Sequence, residues 1–364
     1  MITIKNPVLP VLMINMLTKK QLSEIRSHLE KAQNPIFLFD NDVDGLCSYV
    51  LLRRFIGRGK GVAVKSHPNI DVGYAKRVQE LNGDYVFVLD RHNLGQDFVN
   101  EISLLQLPIV WIDHHDVVVE KYSYNMLYSY NPSHRKKKSF EPTTYLCYSA
   151  TKRAEDIWLV MIGCIADHYM LGKSVVDDFI ERYDILWSKE ITKPFQALYT
   201  TGIGRFARAI SFGLKDSISH VVQLQNFLIS CKTPYDIGQE LESKSAFAIK
   251  YKDTLKKYNA LLEEAKTVVG DKLLFYNYSG QISISSDLSN ELSYLFPNHY
   301  ICVTYSAGPM TNVSLRGDNV QKILAEILPL IGKASGGGHR DAVGARISTE
   351  DLDKFRNALM ERVK

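Results

Sequence analysis

Short uninterrupted apolar runs alternate along the first half of the chain with segments whose apolar positions recur every three or four residues. Residues 109–112 read as a short strand buried on both faces, because a strand covered on one side would alternate polar and apolar positions, and 36–39, 61–66 and 85–89 read as further strands. Between them, 46–55, 74–81 and 97–106 carry helical spacing. Ahead of them Thr18 and Gln21 fit a capping box, with Leu17 and Leu22 as its hydrophobic staple. Leu22, Ile25 and Leu29 then mark one face of a helix over 19–32. Regular strand–helix alternation with short connections predicts an α/β fold with a doubly wound, mainly parallel sheet.

The rhythm changes further on. Residues 124–130 read as another strand and 156–166 as a nearly continuous apolar helix; 170–230 are helical without a legible motif. A long amphipathic segment rich in Lys and Glu, 235–269, suits a connector. After Gly270 come short alternating strands at 273–278, 282–286, 300–305 and 311–316, then helices at 319–331 and 350–362, so a smaller mixed-sheet α/β domain is expected. The implied organisation is a first α/β domain over 1–190, a helical connector over 191–269 and a smaller α/β domain over 270–364.

With 364 residues, 45% of them hydrophobic, the chain has enough apolar content for a core in each domain. A net charge of +4 permits a polyanionic substrate without demanding one. Five scattered cysteines lack a C-x-x-C pair and read as reduced core thiols. The apolar patch at 8–17 is interrupted by Pro10 and Asn15 and lacks a basic leader, which argues against a signal peptide. No apolar run reaches spanning length. The expectation is a cytoplasmic protein without membrane contact.

The chemistry gathers where the buried strands end. The 36–39 strand runs into Asp40-Asn-Asp42-Val-Asp44-Gly45, where carboxylates at i, i+2 and i+4 of an extended segment would project to one side. Placed together they repel, so a stable fold calls for a cation among them. A calcium loop of EF-hand type is excluded, since Leu51 stands at its twelfth position. The 85–89 strand ends in Asp90, and 109–112 ends in Asp113-His114-His115-Asp116. Open α/β sheets place their ligands at such carboxyl edges. Asp167 closes the apolar helix against the dipole preference for cations, a violation that suggests a function. Two further features are ambiguous. His134-Arg-Lys-Lys-Lys138 reads either as a solvated loop or as a phosphate-tracking loop. Gly332 to Asp341, with Gly336, Gly337 and Gly338 in a row, reads as a turn after a helix or as backbone N–H groups offered to an anion, with His339 and Arg340 adding charge.

On these residues the chain resembles the DHH phosphoesterase superfamily, in its RecJ-like subgroup and with the DHH-associated C-terminal domain. Asp40-x-Asp42-x-Asp44-Gly45 is similar to the first motif of RecJ-type exonucleases, whereas many small-substrate members carry a histidine where this chain has Leu38. Asp90, Asp113-His114-His115 and Asp167 match the following motifs, and Asn131-Pro132 falls where the family often has this pair. Val313-Ser-Leu-Arg316 and Gly336-Gly-Gly-His339 match the two C-terminal signatures. The resemblance implies two Mn2+ ions, with Mg2+ as a substitute. Asp40, Asp42 and Asp90 would hold one, and Asp44, Asp90, His114 and Asp167 the other. His115 would help orient the phosphate or protonate the leaving oxygen, with Asp113 and Asp90 as the other catalytic residues. Arg316, Gly336, Gly337, Gly338, His339 and Arg340 would contact substrate phosphates. Arg91-His92 replaces small residues of many relatives, which would narrow the cleft or add a phosphate contact.

The implied activity is 5′-to-3′ exonucleolytic cleavage of single-stranded DNA or RNA. An alternative is a phosphodiesterase for short oligonucleotides or linear and cyclic dinucleotides, which the lack of a further C-terminal module favours. Polyphosphate hydrolysis is a minor option. An inactive scaffold is a third class, and the presence of every expected ligand argues against it. The residues leave DNA against RNA, cleavage polarity and oligomeric state open.

Overall fold

The computed structural model describes residues 17–363 apart from 67, 118–120 and 189. The N-terminal patch therefore lies outside the described residues except for Leu17, which is buried. The chain divides into two units, Met1–Phe247 and Ala248–Lys364, so the stretch expected as a connector is shared between them.

In the first unit, helix α1 (Lys19–Lys31) begins at the Thr18/Gln21 capping box. Five strands follow: β1 (Pro35–Asp40), β2 (Lys60–Val64), β3 (Tyr85–Leu89), β4 (Ile109–Ile112) and β5 (Leu127–Tyr130). They form one sheet in the order β2-β1-β3-β4-β5, with every pair parallel. The crossovers are α2 (Val43–Ile56), α3 (Val72–Glu80) and α4 (Gln96–Leu104). Ile36, Leu38, Val86, Val88, Ile109 and Trp111 face α3 and α4, where Val78, Phe98 and Ile102 are fully buried. The intervening residues serve the opposite face. There Phe37 stacks on Phe87 at 5.1 Å and Phe39 on Tyr49 of α2 at 5.2 Å between ring centroids. Cover on both faces is why these strands read as unbroken apolar runs. Two more helices pack on α2: α5 (Thr143–Thr151) and α6 (Ile157–Ala166). Every residue of α6 from Ile157 to Ile165 is buried.

The second unit holds β6 (Leu273–Ser279), β7 (Tyr300–Ala307), β8 (Met310–Arg316), β9 (Ala334–His339) and β10 (Ala342–Ser348), in the order β6-β7-β8-β10-β9. Only β6 and β7 are parallel, so the sheet is mixed, as expected. Three local expectations are corrected. Residues 282–286 are not a strand: Ile284 is buried and precedes a helix, Ser285–Leu295, whose Leu288 and Leu292 bury one face at i and i+4. The 235–269 helix breaks into Tyr235–Leu241 and Ala246–Lys266, where Ser243 Oγ accepts the Ser245 N–H at 3.0 Å and competes with helical pairing. The glycine run is neither turn nor loop but edge strand β9. A Cβ on Gly336 would stand 2.7 Å from the Ala345 Cβ, so the strand needs a glycine there. All five cysteines are buried and free. No helix among the described residues is long and apolar enough to cross a membrane.

Candidate metal centre

Strand register assembles the site. Phe39, Leu89, Ile112 and Tyr130 are level neighbours across β1, β3, β4 and β5. The residue after each is polar: Asp40, Asp90, Asp113 and Asn131 form one row along the carboxyl edge. Between β1 and β3 the strand order reverses, the crevice where doubly wound sheets bind ligands.

Asp42 and Asp44 join the row by a turn rather than by extended alternation. Asp42 is the N-cap of α2, its side chain accepting the Gly45 N–H at 2.9 Å, and Asp44 already lies in the first helical turn. Gly45 permits this. A Cβ there would meet the backbone oxygen and nitrogen of Asp40 at 2.5 and 2.7 Å. The Asp44 carboxylate is then clamped by the first turn of α5, accepting the N–H of Thr143 at 2.9 Å and of Thr144 at 2.8 Å. Unpaired N–H groups at a helix start suit a carboxylate. Thr143 Oγ1 also donates to Asp90 Oδ1 at 3.2 Å. Nothing in the pattern around Thr143 and Thr144 announces these contacts, since they depend on where α5 packs.

Asp90 has φ +61°, a left-handed turn that marks a constrained site. Its Oδ1 lies 3.4 Å from His114 Nε2, which is also 3.7 Å from Asp167 and 4.0 Å from Asp44. Two groups of ligand atoms thus form, each within 4.8 Å: Asp40, Asp42 and Asp90, and Asp44, His114 and Asp167. A third, Asp90, His114 and His115, overlaps both. His115 Nδ1 is instead engaged by Asp113 Oδ1 at 2.7 Å. Asn131 Nδ2 braces this pair, donating to Asp113 Oδ2 at 3.1 Å and to the His115 carbonyl at 3.0 Å.

Crowding shows in the acidities. Burial, then Asp90 and the neighbouring carboxylates, raise Asp42 and Asp44 well above the usual range; part of the Asp42 surface still reaches solvent. Burial likewise lifts Asp167 to about 6. Asp90 goes the other way: burial resists its ionisation, but His114 and His115 outweigh it. His114 is partly buried, and its Nε2, shut off from solvent, makes no well-formed hydrogen bond. An orphaned imidazole nitrogen facing three carboxylates fits a divalent cation, and hard oxygens with one imidazole suit manganese or magnesium.

Other residues singled out in the sequence have partners of their own. Arg91 is no phosphate hook: its side chain is 5% exposed and pairs with Asp40 Oδ1 at 2.7 Å. In the second unit, Arg316 donates to Asn290 Oδ1 at 2.7 Å, Ser286 Oγ at 3.1 Å and the Val343 carbonyl at 3.2 Å. Gly336, Gly337, Gly338 and His339 lie on β9, paired with β10. Arg340 is exposed and bonded to Asp318 at 2.9 Å.

No family model matches the sequence, and no curated protein matches it. Solved structures do. RecJ from Thermus thermophilus in complex with Mn2+ aligns with a TM-score of 0.69 at 15% identity, over 97% of this chain and 56% of that one. The DHH domain of a member of the s1p family of ribosomal proteins gives 0.68 at 15% identity, over 94% and 89%. An exonuclease RecJ bound to manganese gives 0.61 at 15% identity, over 95% and 94%. The chain has the DHH fold. Its doubly wound sheet and its smaller mixed-sheet unit are the two parts of that architecture. This DHH-fold chain spans little more than half the length of the Thermus RecJ, a protein also solved with Mg2+.

Proposed function

We propose that the chain is a metal-dependent phosphoesterase of the DHH superfamily, cleaving single-stranded nucleic acid from its 5′ end. The observation that carries this reading is the pair of ligand groups on either side of Asp90, with the orphaned Nε2 of His114 between carboxylates. Asp40, Asp42 and Asp90 would hold one ion, and Asp44, Asp90, His114 and Asp167 the other. Two divalent ions supply an activated water and neutralise charge gathering on phosphorus. The protein's own part is positioning. The α5 N–H groups fix Asp44, and Asn131 fixes the Asp113–His115 pair. Burial alone would lower the His115 pKa, but Asp113 outweighs it and raises it to about 9. His115, held by Asp113 Oδ1 at 2.7 Å, would give a proton to the departing ester oxygen. In the second unit we assign Arg316, with Gly336, Gly337, Gly338, His339 and Arg340, to phosphate binding.

A short-substrate phosphodiesterase is the second reading, favoured by one contact. Lys138, part of the basic loop, is spent on Asp116, with its Nζ 2.8 Å from both carboxylate oxygens. A long strand needs a continuous basic track. End-labelled DNA and RNA of graded length, with Mn2+ and with Mg2+, separate the two. Processive shortening of long 5′ ends supports the exonuclease, and turnover confined to oligomers below about five nucleotides supports the alternative. Cleavage that survives both chelation and Asp90→Asn refutes the metal-dependent reading altogether.

A further inference from the structure

Arg91 is a basic group built into the candidate centre itself. Asp90, with its positive φ, turns the chain there, with its own carboxylate in the ligand cluster and the Arg91 guanidinium against Asp40. Trp111 Nε1 pins the Arg91 carbonyl at 2.6 Å. The guanidinium then makes three contacts: Nη1 to Asp40 Oδ1 at 2.7 Å, and Nη2 to the carbonyls of Ser66 at 2.9 Å and Pro68 at 3.0 Å. Such a group cannot swing out to a substrate without giving up all three. Nor can it discharge, because a guanidinium stays protonated in proteins. Among the described residues no lysine or arginine pairs with Asp42, Asp44, Asp90 or Asp167.

We propose that Arg91 is a resident counter-ion of the Asp40/Asp42/Asp90 group, a positioning residue that makes the two ion subsites unequal. This rests on the two-ion reading given above. Three carboxylates surround that subsite, and Arg91 withdraws one of their charges. Its bond to Oδ1 also fixes the direction in which the Asp40 carboxylate is presented. The Asp44/His114/Asp167 group carries no such fixed cation, and its imidazole nitrogen is unused by hydrogen bonding. The first ion therefore settles at Asp44/His114/Asp167. The second binds weakly until a phosphate restores the negative charge that Arg91 has removed. By linkage, that phosphate and the second ion tighten one another by the same factor. The centre then completes itself only on a phosphate-bearing ligand.

The test is a Mn2+ titration of the full chain after chelation and dialysis, with free Mn2+ read by electron paramagnetic resonance and inorganic phosphate as the probe. The expected result is one tight ion, a second at least tenfold weaker, and at least tenfold tightening of the second alone when phosphate is added. Arg91→Gln should make the second ion tight without phosphate, whereas Arg91→Lys, which keeps the charge, should retain the inequality. Two equivalent tight ions in the unaltered protein without phosphate overturn the proposal. So does Arg91→Gln with native circular dichroism, a tight first ion and an unimproved second. Should Arg91→Gln fail to fold, the phosphate arm on the unaltered protein decides alone. Absence of any tight ion refutes the two-ion reading itself, a failure distinct from loss of the inequality.

Discussion

Gly163 offers the sharpest test of how the fold holds the centre. It lies on α6 against α5, and an added Cβ would stand 2.2 Å from Thr144 Oγ1 and 2.8 Å from its Cβ and Cγ2. Those distances are far inside van der Waals contact, so in Gly163→Ala the start of α5 must move. Overpacking of a buried contact costs about 1–3 kcal/mol. The movement also strains the clamp on Asp44, formed by the N–H groups of Thr143 and Thr144 and by Thr144 Oγ1 on the Asp44 carbonyl at 3.0 Å. A hydrogen bond to a charged group contributes about 1.5–3 kcal/mol, so one lost bond matches the packing cost. Loss of a group that orients a metal ligand lowers metal affinity about 10–100-fold. Urea unfolding should show the stability loss, and calorimetric Mn2+ titration the affinity loss. Thr144→Ala removes Oγ1 and Cγ2 and leaves only the Cβ, at 2.8 Å. The double variant should therefore recover part of the damage, with a coupling of about 1 kcal/mol or more. Strict additivity, or Mn2+ affinity unchanged in Gly163→Ala, would refute this account.

Three other predictions follow from separate contacts. Asp156 is fully buried between Arg54 at 2.8 Å and Arg153 at 3.2 Å, so Asp156→Ala should cost about 3–5 kcal/mol by stranding buried positive charge, measurable by denaturant unfolding. Burial holds Asp167 up at about 6, so it keeps its proton below that pH and must release it to an ion. Mn2+ affinity should accordingly rise with pH through about 6, and a flat profile between pH 5 and 8 would show that no raised carboxyl has to lose a proton when the ion binds. Replacing Lys136, Lys137 and Lys138 by Ala should flatten the salt dependence of cleavage on long strands while sparing a dinucleotide, as filter binding and end-label assays would show. Equal effects on both substrates would make the loop a solvated connection.

The strand ends were legible in the sequence because a parallel sheet covered on both faces leaves unbroken apolar runs, and the polar residue ending each run stands out. Asp40, Asp90 and Asp113 could be aligned on that ground alone. Asp44 could be named, but its clamp could not, since the Thr143 and Thr144 N–H groups reach it only through the packing of α5 on α2. Of the two readings of Arg91, a narrowed cleft or a phosphate contact, burial and three internal partners speak against the second, and neither is legible in the sequence. The residues 282–286 alternate like a strand, yet Leu288 and Leu292 beyond them decide for a helix. The glycines of β9 suggest a loop by composition, although what requires one is the close approach of β10.

The row from Asp40 to Asn131 has a consequence for how the protein comes into being. Parallel pairing requires each crossover to close before its contacts repay the chain entropy, which makes such sheets slow to form. Asp40 and Asp167 come from opposite ends of the α/β part of the first unit, and α6 must be enclosed by its neighbours before Asp167 reaches His114. A nascent chain leaving the ribosome thus carries most of its carboxylates long before it has a centre. On the metal-dependent reading, ion capture would be a late event, and bound metal a reporter that the part of the first unit up to Asp167 has folded.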